Sequence, residues 1–427
     1  MPRVSIPYGK RQIAIDIPDA NFCEVLYPNA VEFPADESVE IRRAIENPIG
    51  TPDLEELAFP GCRVAILCDD ISRPTPTDRI LPILLDKLHR AGVSDDRIVI
   101  IMALGSHRPM TAAEIDKKVG RQIRERIAVF NSEFRDKTRL VELGIAPGGV
   151  RVWADKRAVA ADIRIGLGSI VPHPAVGWSG GAKIIYPGIT GEETVATFHL
   201  QHGRVPWNMW GSDKSPVRQD MERWVDTVGL HFIVNVVCTP RGRIYKAVAG
   251  HYIKAHRAGV EYAKHLFGVK ARGRVEIAIV SSYPADWDFW QAGKGLVSGD
   301  FLVKDGGTLI LVTPCPEGVG PHPDFMRLVG RDDIEGLLDQ TKSALHAGGD
   351  PLAVSVAAAT ARIRKRVRVA LVSEGLSSRD ATEAGFIKFS SVELALVDAL
   401  ASHGPSARIS VLPYGGEVYP MVSAQQQ

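Results

Sequence analysis

A series of short, uninterrupted apolar runs limits what this chain can fold into. They are "RVAILCDD" (63–70), "RIVIIMALGSH" (97–107), "ADIRIGLG" (161–168), "VEIAIVSSYP" (275–284), "GTLILVTP" (307–314), "RVRVALVSEG" (366–375) and "ARISVLPYG" (407–415). Each lacks the alternation of a half-exposed strand and is bounded by turn residues, so each reads as a strand buried on both faces. Between most of them lie stretches of helical spacing, such as "DRILPILLDKLHRAGV" (78–93), in which Pro82 implies a helix that starts late or kinks. Alternating strands and helices call for parallel sheets joined by right-handed crossovers. The expected fold is α/β. At the N-terminus, "VSIPYGKRQIAIDIP" (4–18) alternates around a Tyr-Gly-Lys-Arg turn and reads as a β-hairpin.

With 427 residues the chain exceeds one ordinary domain. "KAHRAGVEYAKHLFGVKARGR" (254–274) reads as a polar-faced helix running into a Gly/Arg-rich connection. The boundary is therefore expected there, with one α/β domain over residues 1–270, a second over 275–405, and a terminal strand and tail over 406–427. A net charge of +1 supplies no basic excess for a polyanion, so nucleic acid is not an expected partner. Five scattered cysteines without a C-x-x-C pair support neither a disulfide framework nor a Cys-rich zinc site, which points to a reducing, cytoplasmic setting. No apolar run approaches the roughly 18 to 20 residues needed to span a bilayer, and the N-terminus lacks a signal-peptide core, so no membrane is implied.

In open parallel sheets ligands sit beyond the carboxyl ends of the strands. Two polar clusters fall there: Asp69, Asp70 and Arg73 in "CDDISRPTP", and His107 and Arg108 in "LGSHRP". If those strands are neighbours, Asp70 fixes the tautomer of His107 while Arg73 offers a planar fork to a carboxylate; separately they read as a helix cap and surface-loop residues. His173 follows a third apolar run, and two histidines converging on one crevice have the geometry of an acid/base pair acting on opposite faces of a carbon. Then comes "GWSGGAK", where Ser179, Gly180 and Gly181 bare backbone ahead of Lys183. It is not a phosphate-binding P-loop, because the spacing fails. A lysine in such a loop suits covalent attachment to a cofactor, or is a solvated lysine beside a tight turn. In "TGEETVATFHLQHG" Thr190 and Glu193 have capping-box spacing for a helix closed by Gly203, with Val195, His199 and His202 on its inward face. Histidines on such a face are ordinarily hydrogen-bonded core residues, although one neutral imidazole can serve a late first-row metal whose other ligands come from a cofactor.

"DDISRPTP", "GSHRP", "PHPAVGWSGGAKIIYPGI" and the His199 helix, in this order, resemble the lactate racemase family. The resemblance covers most of the chain. It implies two α/β domains, mainly parallel, with cofactor and active site in the cleft between them. It also implies a nickel-pincer nucleotide joined covalently to Lys183 beside Ser179, Gly180 and Gly181, with His199 as the protein's metal ligand. By the same resemblance His107 and His173 are the acid/base pair, Asp70 orients His107, Arg73 grips the substrate carboxylate, and Gln291 and Lys294 of "WQAGKG" face cofactor and substrate. The reaction so implied inverts C2 of a 2-hydroxy acid: one histidine takes the hydroxyl proton while the α-hydrogen leaves as hydride to the cofactor. The implied partners are a small 2-hydroxy acid and cofactor-synthesis proteins. The Trp-rich segments "WNMWGSD" and "YPADWDFW" hint at a substrate larger than lactate, or anchor packing. The residues alone also leave open a Schiff-base lysine enzyme and a non-catalytic nucleotide- or organic-acid-binding protein.

Overall fold

A computed structural model describes residues 1–341 and 350–422. The chain builds two six-stranded sheets. The first has the order Ile244–Gly250, Phe232–Cys238, Ile163–Ser169, Val64–Asp69, Ile98–Ala103, Ala128–Asn131, parallel throughout except for the antiparallel edge strand Ile244–Gly250. The second runs Ile387–Phe389, Arg368–Val372, Val303–Val312, Val275–Ser281, Ile409–Leu412, Phe22–Val25, all parallel. Helices cover both sheets, so the inner strands are buried on both faces and their apolar runs need no alternation. Every one of the quoted runs is a strand.

Register positions the site. Asp69 lies opposite Ala103, and Cys68 opposite Leu167, so three neighbouring strands end at one level and their following loops converge. The helix after the first of these strands spans Thr77–Arg90 and does not start late; Pro82 sits inside it. A proline there costs about 3 kcal/mol. Burial of Ile80, Leu81, Leu84 and Leu88, each worth about 1.5 to 3 kcal/mol, outweighs it.

Two expectations need correction. The N-terminal hairpin forms, Arg3–Tyr8 against Arg11–Asp16. Its Val4, Ile6 and Ile15, however, pack with Ile277, Ile279 and Ile310 of the second sheet, and Phe22–Val25 is that sheet's edge strand. Residues 1–25 thus pack with the second body, not the first. Likewise Thr190 does not cap the His199 helix: it bridges Ala154 and donates its hydroxyl to the Pro187 carbonyl, so the helix Glu192–Arg204 starts from Gly191. Gly203 lies inside that helix, where an added Cβ would meet the Ser355 carbonyl oxygen at 2.9 Å. Its glycine serves close packing against the second body's helix Pro351–Arg366, not termination. Among the described residues no helix is long and apolar enough to cross a membrane.

Candidate active site

The loops beyond Val64–Asp69, Ile98–Ala103 and Ile163–Ser169 and the start of the second body's helix Phe289–Gly299 line one cavity of about 140 Å³. Asp70, Arg73, His107, His173, Ser179, Gly180, Gly181, Lys183, His199, Gln291 and Lys294 all line it. Arg108 alone of the two polar clusters does not: it pairs with Glu114 and Glu317.

Asp70, buried, lies 2.5 Å from His107 Nδ1 and accepts the Ser72 backbone N–H at 2.8 Å. Burial pushes this carboxyl up, but the adjacent His107 and Arg73 charges and the Ser72 hydroxyl outweigh it and hold it well below the ordinary range. A carboxylate on Nδ1 takes the Nδ1–H and leaves the Nε2 lone pair facing the cavity. Gln291 fits that tautomer: its Nε2 lies 3.0 Å from His107 Nε2, while its Oε1 accepts from Lys294 Nζ at 2.8 Å and from Arg73 at 3.4 Å. One amide thus ties the second body to both the His107 imidazole and the Arg73 guanidinium. Gln291 is placed by the helix cap, since Asp288 accepts its backbone N–H at 2.8 Å.

His173 sits in a two-residue strand paired with Gly177–Trp178 and is buried. Its Nδ1 accepts the Ala175 N–H at 3.1 Å, so the neutral ring carries its hydrogen on Nε2. Burial, then the charges of Lys183, Lys294 and Arg73, hold it well below the usual histidine pKa. Burial first and Arg73 second likewise pull the Lys183 ammonium down to about 7, and Lys294 falls well below the ordinary lysine value for the same leading reason.

The Gly-Gly loop has a physical requirement. Gly180 and Gly181 adopt φ of +77° and +60°, and a Cβ on either would lie 2.8 Å from Asn235 Oδ1 or 2.9 Å from the Tyr252 carbonyl oxygen. Asn235 accepts the Gly181 N–H at 2.8 Å, and the Ser179 hydroxyl donates to the Ser169 carbonyl at 2.7 Å. His256 bonds the Ser179 carbonyl at 2.8 Å. On the adjoining helix His199 Nδ1 is buried without a hydrogen-bond partner, and the ring meets Phe198 edge-on at 5.2 Å and Trp290 at 6.2 Å. Burial and the nearby His202 and Lys183 keep His199 neutral.

Sequence reading missed three contributors. Asn235 interrupts the strand "FIVNVVC" (232–238), itself not anticipated; a polar residue inside an apolar run was the available signal. Buried Lys118 pairs with Asp69 at 2.8 Å and donates to the Arg73 carbonyl at 3.0 Å, pinning the loop that carries Arg73. Glu417 is buried, with Oε2 unpartnered, and burial pushes its carboxyl up to about 8 against the pull of Lys294 and Arg73. Of the Trp-rich segments, Trp290 lines the cavity, whereas Trp210 is buried and donates to the Val418 carbonyl at 2.8 Å as a packing anchor.

Fold and site together place the chain among two-bodied α/β proteins that hold a ligand between strand-end loops and an opposing helix. The particular family is narrower. Residues 8–208 match the lactate racemase N-terminal domain and residues 270–419 the lactate racemase C-terminal domain, and the chain belongs to the lactate racemase family. It is 34% identical over 366 residues to a lactate racemase of Thermoanaerobacterium thermosaccharolyticum, covering 81% of this chain and 85% of that one. It is 31% identical over 422 residues to a lactate racemase of Lactiplantibacillus plantarum, covering 97% and 99%. The solved lactate racemase apoprotein from T. thermosaccharolyticum superposes with a TM-score of 0.87 at 29% identity, covering 99% of this chain and all of that one. A protein from Thermotoga maritima shares the fold at a TM-score of 0.71 and 19% identity, over 90% and 98% of the two chains.

Proposed function

We propose that this chain inverts C2 of a 2-hydroxy acid, with His107 and His173 as the acid/base pair and a nickel-pincer nucleotide carried on Lys183. The observation that supports it most is the Asp70–His107–Gln291 relay facing His173 and Lys183 across one cavity.

The residues fit such a group. Lys183, with a pKa near 7, is substantially unprotonated at neutral pH and can form a covalent acyl-type bond. Gly180 and Gly181 present bare backbone at the cavity wall. Among the described residues no cluster of three or more His, Cys, Asp or Glu is arranged to hold a metal, so an ion at His199 must bring its other ligands with it. A neutral imidazole suits nickel. When bound, the group supplies a hydride acceptor and donor for a carbon whose hydrogen is barely acidic.

The chain's own side chains do the rest. Arg73 offers its fork to the substrate carboxylate. The His107 Nε2 lone pair receives the C2 hydroxyl proton, and Asp70 stabilises the imidazolium that results. For this the Gln291 amide yields its place at Nε2 to the substrate hydroxyl. His173, opposite, presents Nε2–H. The reading carries with it a cytoplasmic setting and cofactor-synthesis proteins that load Lys183.

The test uses chain co-produced with those synthesis proteins. Intact mass spectrometry is expected to show an adduct, and chiral chromatography the interconversion of the enantiomers of at least one member of a 2-hydroxy acid panel. Lys183→Ala is expected to lose both. Loaded protein that leaves every pure enantiomer unchanged contradicts the proposal.

A further inference from the structure

Two more cavities adjoin the site. One of about 300 Å³ shares Asp70, His107, Trp290 and Gln291 with it. Its far wall, Ile71, Ser72 and Trp287, is shared with an outer cleft of about 1100 Å³, and Arg73 lines both that cleft and the site. A continuous approach to His107 and Arg73 is thus drawn by shared walls.

The charge along this approach is one-sided. Seven Lys or Arg side chains line the outer cleft against three Asp or Glu, on a chain whose net charge is only +1. Arg11 pairs with Glu374, Arg79 with Glu37, Lys118 with Asp69, and Arg73 reaches Gln291. Lys10, Lys117 and Arg241 are exposed and hold no ion pair among the described residues. They come from separate segments: the N-terminal hairpin turn, the helix Ala112–Val119, and the turn between Phe232–Cys238 and Ile244–Gly250. Of the three acids, Glu374 is engaged by Arg11, leaving Asp78 and Asp286, the latter accepting the Gly9 N–H, to face three cations. Clefts lined by one sign focus potential and raise the local concentration of counter-ions, an effect that fades as salt shortens the screening length.

We propose that the outer cleft is an anion-collecting vestibule in which Lys10, Lys117 and Arg241 draw small carboxylate anions past Trp287 to Arg73 and His107. That its cargo is a carboxylate substrate rests on the function proposed above; the vestibule itself does not.

The experiment has two arms and one variant, Lys10→Gln/Lys117→Gln/Arg241→Gln. In the first, Trp287, 47% exposed at the inner junction, reports through fluorescence quenching by iodide and by neutral acrylamide, with Trp287→Phe subtracted. The ratio of iodide to acrylamide quenching at low ionic strength is expected to fall about two- to threefold in the triple variant, and an unchanged ratio overturns the proposal. In the second arm, loaded enzyme is assayed between about 20 and 300 mM salt. Wild-type kcat/KM is expected to fall about three- to tenfold with salt, and the variant to start that much lower and stay flat, with kcat unchanged in both. Salt-independent wild-type kcat/KM overturns the vestibule. Loaded wild type inert toward every 2-hydroxy acid overturns the functional reading instead, and the iodide arm still decides the vestibule.

Discussion

The two histidines of the cleft are built in opposite ways. His107 ends a strand-end loop, and its Nδ1 faces a buried carboxylate, which holds the hydrogen on Nδ1 and leaves Nε2 as an acceptor. His173 lies in a short hairpin, where Nδ1 faces a backbone N–H and the nearest charges are positive, so the structure opposes its charged form. In the resting protein one therefore presents a lone pair to the cavity and the other an N–H. The pair thus starts with a hydrogen-bond acceptor and a hydrogen-bond donor already distinguished. Under the proposed function, use of His107 as base matches its resting tautomer, whereas use of His173 as base requires its hydrogen to move from Nε2 to Nδ1.

The comparison breaks most completely at Asp70. Replacing it with asparagine preserves shape but offers His107 an amide in place of a carboxylate, which favours the wrong tautomer and removes the stabilising charge. Racemisation by loaded Asp70→Asn protein is expected to drop by about 10² to 10⁴, the usual worth of a general acid/base group. Chiral chromatography checks this, and near-wild-type rates show that the Asp70 carboxylate does not set the state of His107.

A smaller effect sharpens the other side. Lys183 is the second cause of the low His173 pKa, after burial. Removing that cation in Lys183→Met lowers the cost of protonating His173, so its pKa is expected to rise toward, without reaching, the ordinary histidine value. The sign follows from like-charge repulsion: less positive charge nearby means protonation at higher pH. NMR titration of the imidazole in protein without cofactor measures it, and a pKa unmoved or lowered contradicts the assigned electrostatics.

The legible parts of this molecule were those written in local pattern. Continuous apolar runs announced the buried parallel strands, and polar clusters at their ends announced Asp70, Arg73 and His107. What stayed hidden depends on contacts distant in sequence. The hairpin Arg3–Asp16 carries its own alternation, but nothing local says that it packs on strands beginning at residue 275. Thr190 and Glu193 have capping-box spacing, yet a bridge to Ala154 claims Thr190 first. Lys118, more than forty residues from Arg73, holds that arginine's carbonyl and reads in sequence as a solvated helix lysine. Gln291 was placed at the site by resemblance; only the fold shows that it touches the His107 imidazole and the Arg73 guanidinium together.

The claim that the two histidines serve opposite faces is tested most directly by a single turnover. Loaded His107→Ala and His173→Ala proteins are mixed separately with each enantiomer of a racemised 2-hydroxy acid, quenched, and assayed for the 2-keto acid formed per site. Net inversion is expected to fall by about 10² to 10⁴ in both variants, because each inversion needs both groups. Keto acid is expected to form from one enantiomer only in His107→Ala, and from the other only in His173→Ala. Equal yields from both enantiomers in both variants contradict the two-face assignment.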